Sequence, residues 1–208
     1  MEQVKFTNFL GVFVDEKLEW SEHILHVKAK MSSALYALNS AKHYLTPNHL
    51  IQLYNALIYP YLSYGILLWG STFKTYIYKL VVLQKKALRI IGLVPFNSHT
   101  HDLFRRFKIL KVNDIYNLLL GKYMFMQMNN ILPEPLLQKP SLCGDVHSHH
   151  TRQRNKIFKQ NKRTALVANC FLHKGPDYWN KLPDNITFVN SIKLFNKRHR
   201  MYLVESMK

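Results

Sequence analysis

The side chains best suited to chemistry in this chain are cations set at helical spacing. Between Tyr76 and Ile91, Lys79, Lys85, Lys86 and Arg89 lie off an apolar stripe of Ile77, Leu80, Leu83, Ala87 and Ile90, so a helix there carries one basic flank. Cations held in register along a rod match a phosphate backbone, whose charges repeat every few ångströms. Arg105 and Arg106 close a short helical stretch from Asp102. Further on, Arg152, Arg154, Lys156, Lys159, Lys162 and Arg163 follow one another with no acidic residue between them, a run that repels itself unless an anion is near. The candidate nucleic-acid contacts are therefore Lys79, Lys85, Lys86, Arg89, Arg105, Arg106, Arg152, Arg154, Lys159, Lys162 and Arg163.

Other chemistries are weaker. Cys143, His147, His149 and His150 are all permissible zinc ligands, but their spacing is not that of a standard knuckle and no C-x-x-C precedes them. Protonated, those histidines would add positive charge beside Arg152 below about pH 6.5. Asp15 and Glu16 are the only adjacent acidic pair, placed in a turn where charges are ordinarily solvated, which disfavours a metal role. Ser141 and Cys143 have histidines nearby, yet proximity in a loop orients no base and builds no oxyanion hole, so hydrolase chemistry is disfavoured. Phe158, Phe171, Tyr178 and Trp179 interleave with tail cations in the manner of base-stacking platforms, although Trp179, between prolines, reads first as a core anchor.

The whole composition points the same way. The 208 residues hold 29 Lys and Arg against 12 Asp and Glu, a formal charge of +17, an excess that favours a polyanionic partner. With 48% hydrophobic residues the chain falls in the globular range and outside the disordered one. Two cysteines are too few for a disulfide framework, which fits an intracellular setting, in the nucleus or cytoplasm, and the start shows no secretory pattern. Leu50 to Gly70 carries no charge over about twenty residues, the length of a bilayer span. Its Gln52, Asn55, Pro60 and Ser63 favour a proline-broken buried helical pair instead, leaving a membrane-associated protein using Leu50 to Trp69 as a minor alternative.

The elements that must position these groups can be read in order. Lys5 to Val14 reads as a strand halted by Asp15 and Glu16. From Ser21, an expected N-cap, apolar residues to Leu45 fall at three- and four-residue steps of an amphipathic helix. Thr46-Pro47 starts another that runs to about Tyr59, with a break expected at Pro60. After the basic helix come a loop at Pro95 to Thr100, helical stretches at Asp102 to Arg106 and Asp114 to Met128, a proline-punctuated boundary from Ile131 to Gly144, and a terminal helix from Ser191 to about Val204.

The order of short motifs resembles a known family. Phe9-Leu-Gly-Val12, Leu18-Glu-Trp20 and His23-Ile24 look like the strand and helix just after the palm of non-LTR (LINE-type) retrotransposon reverse transcriptases, of the jockey/CR1-like kind. Leu53-Tyr54, Leu57-Ile58, Pro60, Leu62-Ser-Tyr64 and Trp69-Gly70 resemble the thumb-region signature, and Leu83-Gln84, Ala87 and Arg89-Ile90-Ile91 its basic helix. His150-Thr-Arg152, Arg163-Thr164 and Gly175-Pro-Asp-Tyr-Trp-Asn-Lys-Leu-Pro183 resemble the tail motifs of such reading frames.

The resemblance implies a mainly α fold: a helical thumb-like bundle with a short N-terminal strand and a basic, partly irregular C-terminal region. Its expected divisions are a post-palm strand and turn over 1–20, a helical domain over 21–130, a Pro/His/Arg-rich linker over 131–163 and a small C-terminal segment over 164–208. Polymerases of the family hold two Mg²⁺ with carboxylates, including two adjacent aspartates, and this sequence has no Asp-Asp pair. The expectation is a fragment lying downstream of the catalytic palm, without catalytic residues or a cofactor of its own. It would contact RNA or an RNA:DNA hybrid without sequence preference, with the palm and fingers as a further partner. The alternative from another class is a scaffold or interaction protein that keeps the fold without the nucleic acid.

Overall fold

The structure, a computed structural model, describes residues 4–134, 140–146, 153–159 and 164–207. It is mainly α, with one two-stranded sheet at its start, and it divides into two compact units, Met1–Tyr116 with Val204–Lys208, and Asn117–Leu203. The chain's opening folds as a hairpin, where a single strand was expected. β1 (Phe6–Phe9) and β2 (Val12–Asp15) pair antiparallel with Phe9 opposite Val12, leaving Leu10 and Gly11 as a two-residue turn. Both turn residues have positive φ, 50° and 82°, as a primed hairpin turn requires. Leu-Gly is an unusual pair for that geometry, which is why the turn is not obvious in the sequence.

Helix α1 (Ser21–Ala41) follows. Its N-cap is Trp20 in the left-handed region at φ 67°, not Ser21, and the cap makes no side-chain hydrogen bond. The Asp15 carboxylate does the corresponding work one turn earlier, accepting from the backbone N–H of Glu19 at 2.9 Å and of Trp20 at 2.6 Å. The helix stops at Ala41, short of the expected Leu45.

Next come α2 (Pro47–Leu57), α3 (Tyr59–Ser63) and α4 (Ile66–Trp69). Pro47 opens α2 and Pro60 sits in the first turn of α3, so each proline lies where a missing N–H costs little. The uncharged stretch thus lies in three short helices and the joints between them, with Leu50, Tyr54, Ile58, Leu62, Ile66 and Trp69 buried. Their spacing of three to four residues carries one stripe of the first unit's core through every break. Among the described residues no helix is long and apolar enough to cross a membrane.

The signature residues meet at the hairpin. The Tyr64 hydroxyl donates to the Leu10 carbonyl, the Trp69 indole N–H donates to the Tyr64 carbonyl at 2.9 Å, and the Thr72 hydroxyl donates to the Glu19 carbonyl at 2.6 Å. Gly65, at φ 60°, brings the backbone to Val12: a Cβ there would lie 3.3 Å from Val12 Cγ2.

Helix α5 (Lys74–Ile91) begins two residues before the expected Tyr76 and packs along α1. α6 (His101–Arg106) and α7 (Val112–Met128) follow. Gln84 of α5 is fully buried and donates to Tyr54 Oη and to the Leu110 carbonyl, both at 2.8 Å, while its Oε1 accepts from Val112 N at 3.2 Å. One amide therefore ties α5 to α2 and to the start of α7.

The described residues of the tail hold α8 (Cys143–Val146), α9 (Ala165–Asn169), α10 (Phe171–Trp179), α11 (Asp184–Thr187) and α12 (Ile192–Glu205). In the second unit Phe125, Leu182, Ile186, Val189 and Phe195 form a core, with Tyr178 and Trp179 packed against it. Gly121 permits a close approach there, since a Cβ would lie 2.4 Å from His199 Cε1.

Candidate nucleic-acid interface

Helix α5 is two-faced. At about 100° per residue, its buried Ile77, Leu80, Leu83, Gln84, Ala87, Leu88 and Ile91 fall on an arc of roughly 140°. Lys79, Lys85, Lys86 and Arg89 fall on an arc of roughly 120° centred on the opposite side. Ile90, expected in the apolar stripe, is only half-buried; Gln84, Leu88 and Ile91 take its place. From Lys79 to Arg89 the basic face runs about 15 Å, given a rise of ~1.5 Å per residue.

The carboxy-terminal end of that face borders a cleft of about 470 Å³, where Lys86 and Arg89 meet Asn39, Lys42 and His43 from the end of α1 and Phe96 from the loop after α5. Arg89 organises the loop. Its carbonyl accepts from Val94 N at 3.1 Å and its Nε donates to the Ser98 carbonyl at 2.9 Å, so both backbone and side chain hold the turn that presents Phe96. Lys86 Nζ lies 5.9 Å and Arg89 Cζ 5.7 Å from the centre of the Phe96 ring, within cation–π range. Among the described residues no acidic side chain lines the cleft. Arg105 and Arg106, both exposed, lie on α6 outside the cleft lining, with the Arg106 guanidinium 5.5 Å from the Phe107 ring.

The tail candidates differ in environment. Arg154 is exposed, its stem lying over Gly144, whose Cβ would meet Arg154 Cγ at 2.4 Å. Lys159 Nζ pairs with Asp177 Oδ1 at 2.7 Å, so its charge is already matched by a carboxylate. Arg152, Lys162 and Arg163 lie outside the described residues, as do His147, His149 and His150 of the zinc hypothesis. The tail aromatics are engaged internally. Phe171 packs edge-on against Tyr123 with centroids 5.2 Å apart, Trp179 stacks on Phe195 at 5.8 Å, and the Tyr178 hydroxyl hydrogen-bonds His199 Nε2 at 2.7 Å. Stacking platforms are therefore not to be sought at Phe171, Tyr178 or Trp179.

The two magnesium ions of a polymerase do not fit the residues described. Asp15 spends both carboxylate oxygens on backbone amides, and among the described residues no three His, Cys, Asp or Glu side chains converge as a metal site. Cys143 and Cys170 are free thiols, each half-buried.

Two buried histidines stand apart from the basic face. His23, beside Trp69, accepts a hydrogen bond from Phe13 N at 3.4 Å, and burial first, then the neighbouring charge of His26, brings its pKa down to about 4. Burial brings His199 down to about 4 as well, and its Nδ1 has no hydrogen-bond partner among the described residues. Both are neutral structural groups at pH 7. Lys42, His43 and Phe96 were not picked out by reading the sequence. The available signal was a basic pair just past a helix end, which gains meaning only when α5 is laid beside it.

Comparison with known proteins agrees with the motif order. The chain is 28% identical over 153 residues, 72% of its own length, to the RNA-directed DNA polymerase from mobile element jockey of Drosophila melanogaster, of which it covers 16%. It is 28% identical over 118 residues, 55% of its length, to the Drosophila funebris protein of the same name, covering 13% of it. It is also 25% identical over 118 residues, again 55% of its length and 13% of the relative, to the "Probable RNA-directed DNA polymerase from transposon X-element" of Drosophila melanogaster. These homologues are consistent with a region of a non-LTR retrotransposon reverse transcriptase, and the chain spans less than a fifth of each of them. No family model and no solved structure matches.

Proposed function

We propose that this chain is a nucleic-acid-binding region of a retrotransposon RNA-directed DNA polymerase, gripping the template or primer backbone and carrying no polymerase chemistry of its own. The observation that carries the reading is the basic arc of α5 set opposite its buried arc, continued at one end by Lys42 just past α1. Binding through phosphates needs charge and spacing and no base-edge contact, so little sequence preference follows, and RNA template or RNA:DNA hybrid is the expected partner. The relatives' names supply the polymerase context, and the palm and fingers of such a polymerase are the second expected partner. The setting expected for such work is the cytoplasm or nucleus.

Filter binding of the purified chain to an RNA:DNA hybrid at two salt concentrations tests this. With about five phosphate contacts, log affinity falls with log salt at a slope near −4.5, from ~0.9 per contact. Absence of binding at about 50 mM salt would favour a scaffold that kept the fold without the nucleic acid. Template-dependent primer extension by this chain with Mg²⁺ would overturn the non-catalytic half of the proposal.

A further inference from the structure

Resting on the nucleic-acid reading, the geometry points to something more specific at the cleft between the ends of α1 and α5. We propose that it is a site for an unpaired nucleotide of a single strand, with the base stacked on Phe96 and the phosphate between Lys42 and Lys86.

Phe96 carries the argument. The residue is 75% exposed, although the loop that bears it is pinned at Val94 and Ser98 by Arg89. A large apolar ring fixed in water by a dedicated pair of hydrogen bonds is a platform whose ordering cost is met before any ligand arrives. Two cations stand within 6 Å of it, at 5.9 and 5.7 Å, which is the combination that recognises a base and its phosphate together. The volume, about 470 Å³, lies in the range of small-ligand clefts, roughly 300–1,000 Å³.

A lining of Lys42, His43, Lys86 and Arg89 without an acid selects an anion. A base inside a duplex has both faces covered by its neighbours, so stacking on Phe96 away from a duplex end demands an unpaired one. The basic arc of α5 leads into the cleft, which lets a duplex lie along the helix while the strand's unpaired end enters.

The test compares the wild-type chain, Phe96→Ala, Phe96→Tyr and Lys42→Ala by fluorescence anisotropy on an oligo-dT strand, an oligo-U strand and a duplex long enough that interior sites far outnumber its two ends. Stacking on one aromatic side chain predicts that Phe96→Ala weakens both single strands by about tenfold, leaves the duplex within about twofold, and keeps the salt slope unchanged. Phe96→Tyr restores single-strand affinity, because tyrosine keeps the ring. Lys42→Ala lowers the single-strand salt slope by about 0.7. Equal loss on strand and duplex, or no loss on either single strand, overturns the site while leaving the functional reading intact. Wild type that binds none of the three probes overturns both.

Discussion

Asp15 is the acidic residue on which the local stability of the opening segment turns. Its carboxylate holds the amides of Glu19 and Trp20 in a segment where Leu18 and Trp20 both take positive φ, 53° and 67°. Non-glycine residues in that region are strained, and two hydrogen bonds to a charged acceptor offset the strain. Asp15→Ala is expected to lower stability by about 2–3 kcal/mol in urea unfolding while leaving Mg²⁺ binding unchanged. Stabilisation by added Mg²⁺ of wild type and not of the variant would reassign the residue to a metal. Gln84 is comparable. Gln84→Leu strands the Leu110 carbonyl and the Val112 N–H in the core and is expected to cost about 2–4 kcal/mol by the same measurement. The buried histidines set a pH limit. Their folded pKa values, about 4, lie below the ordinary 6.5, so the unfolded chain binds more protons between those values. Their contribution is complete above pH 6.5 and is lost as the pH falls towards 4. From pH 7.5 to 5.5 the loss is about 1–1.5 kcal/mol for each histidine, read as a lower urea midpoint; equal midpoints at the two pH values would mean that the folded chain already holds the protons.

At the scale of elements, α5 was the most legible part of the molecule, and the reason is periodicity. A helix of 3.6 residues per turn writes its two faces directly into the order of Lys79, Leu80, Leu83, Lys86 and Ala87. The same logic gave α1, α2, α7 and α12 to within a few residues, and Pro60 announced its own break. What periodicity does not carry is which helix lies beside which. Gln84 looked like a stray polar residue within a motif; its three partners come from Tyr54, Leu110 and Val112, up to thirty positions away. Lys42 and His43 became part of a site only through the packing of α1 on α5. α9, α10 and α11 are too short to show a period, and the hairpin hid behind a Leu-Gly turn. The basic face makes its own prediction. Lys79→Ala with Lys86→Ala should reduce the salt slope on duplex by about 1.8, two contacts at ~0.9 each. Lys30→Ala, on α1 about 18 Å along the helix from Lys42 at ~1.5 Å per residue, serves as the comparison and should leave the slope unchanged. An equal effect per charge removed, half the pair's loss from Lys30 alone, would mean that the charge acts as a diffuse cloud, without a track.

Across the whole molecule two opposite tendencies act, and salt separates them. A net charge of +17 keeps copies of the chain apart in dilute buffer. The hairpin pulls the other way: Val4, Phe6, Phe9 and Leu10 are all exposed, on a two-stranded sheet whose outer edges have no strand partner among the described residues. An apolar edge of this kind is a template for pairing with a second copy or with another domain. Salt screens the repulsion, with a Debye length that shrinks from about 30 Å at 0.01 M to about 3 Å at 1 M, and leaves apolar contact in place. Self-association is therefore expected to rise with salt over the range in which nucleic-acid binding falls. Light scattering at low and high salt should show the larger species only at high salt. Phe9→Ser with Leu10→Asn should suppress it, and asparagine also tolerates the positive φ of 50° that leucine is forced to adopt there. A monomer at every salt concentration would mean that the exposed hairpin is too small or too twisted to pair, and association that persists in the double variant would move the contact elsewhere on the surface.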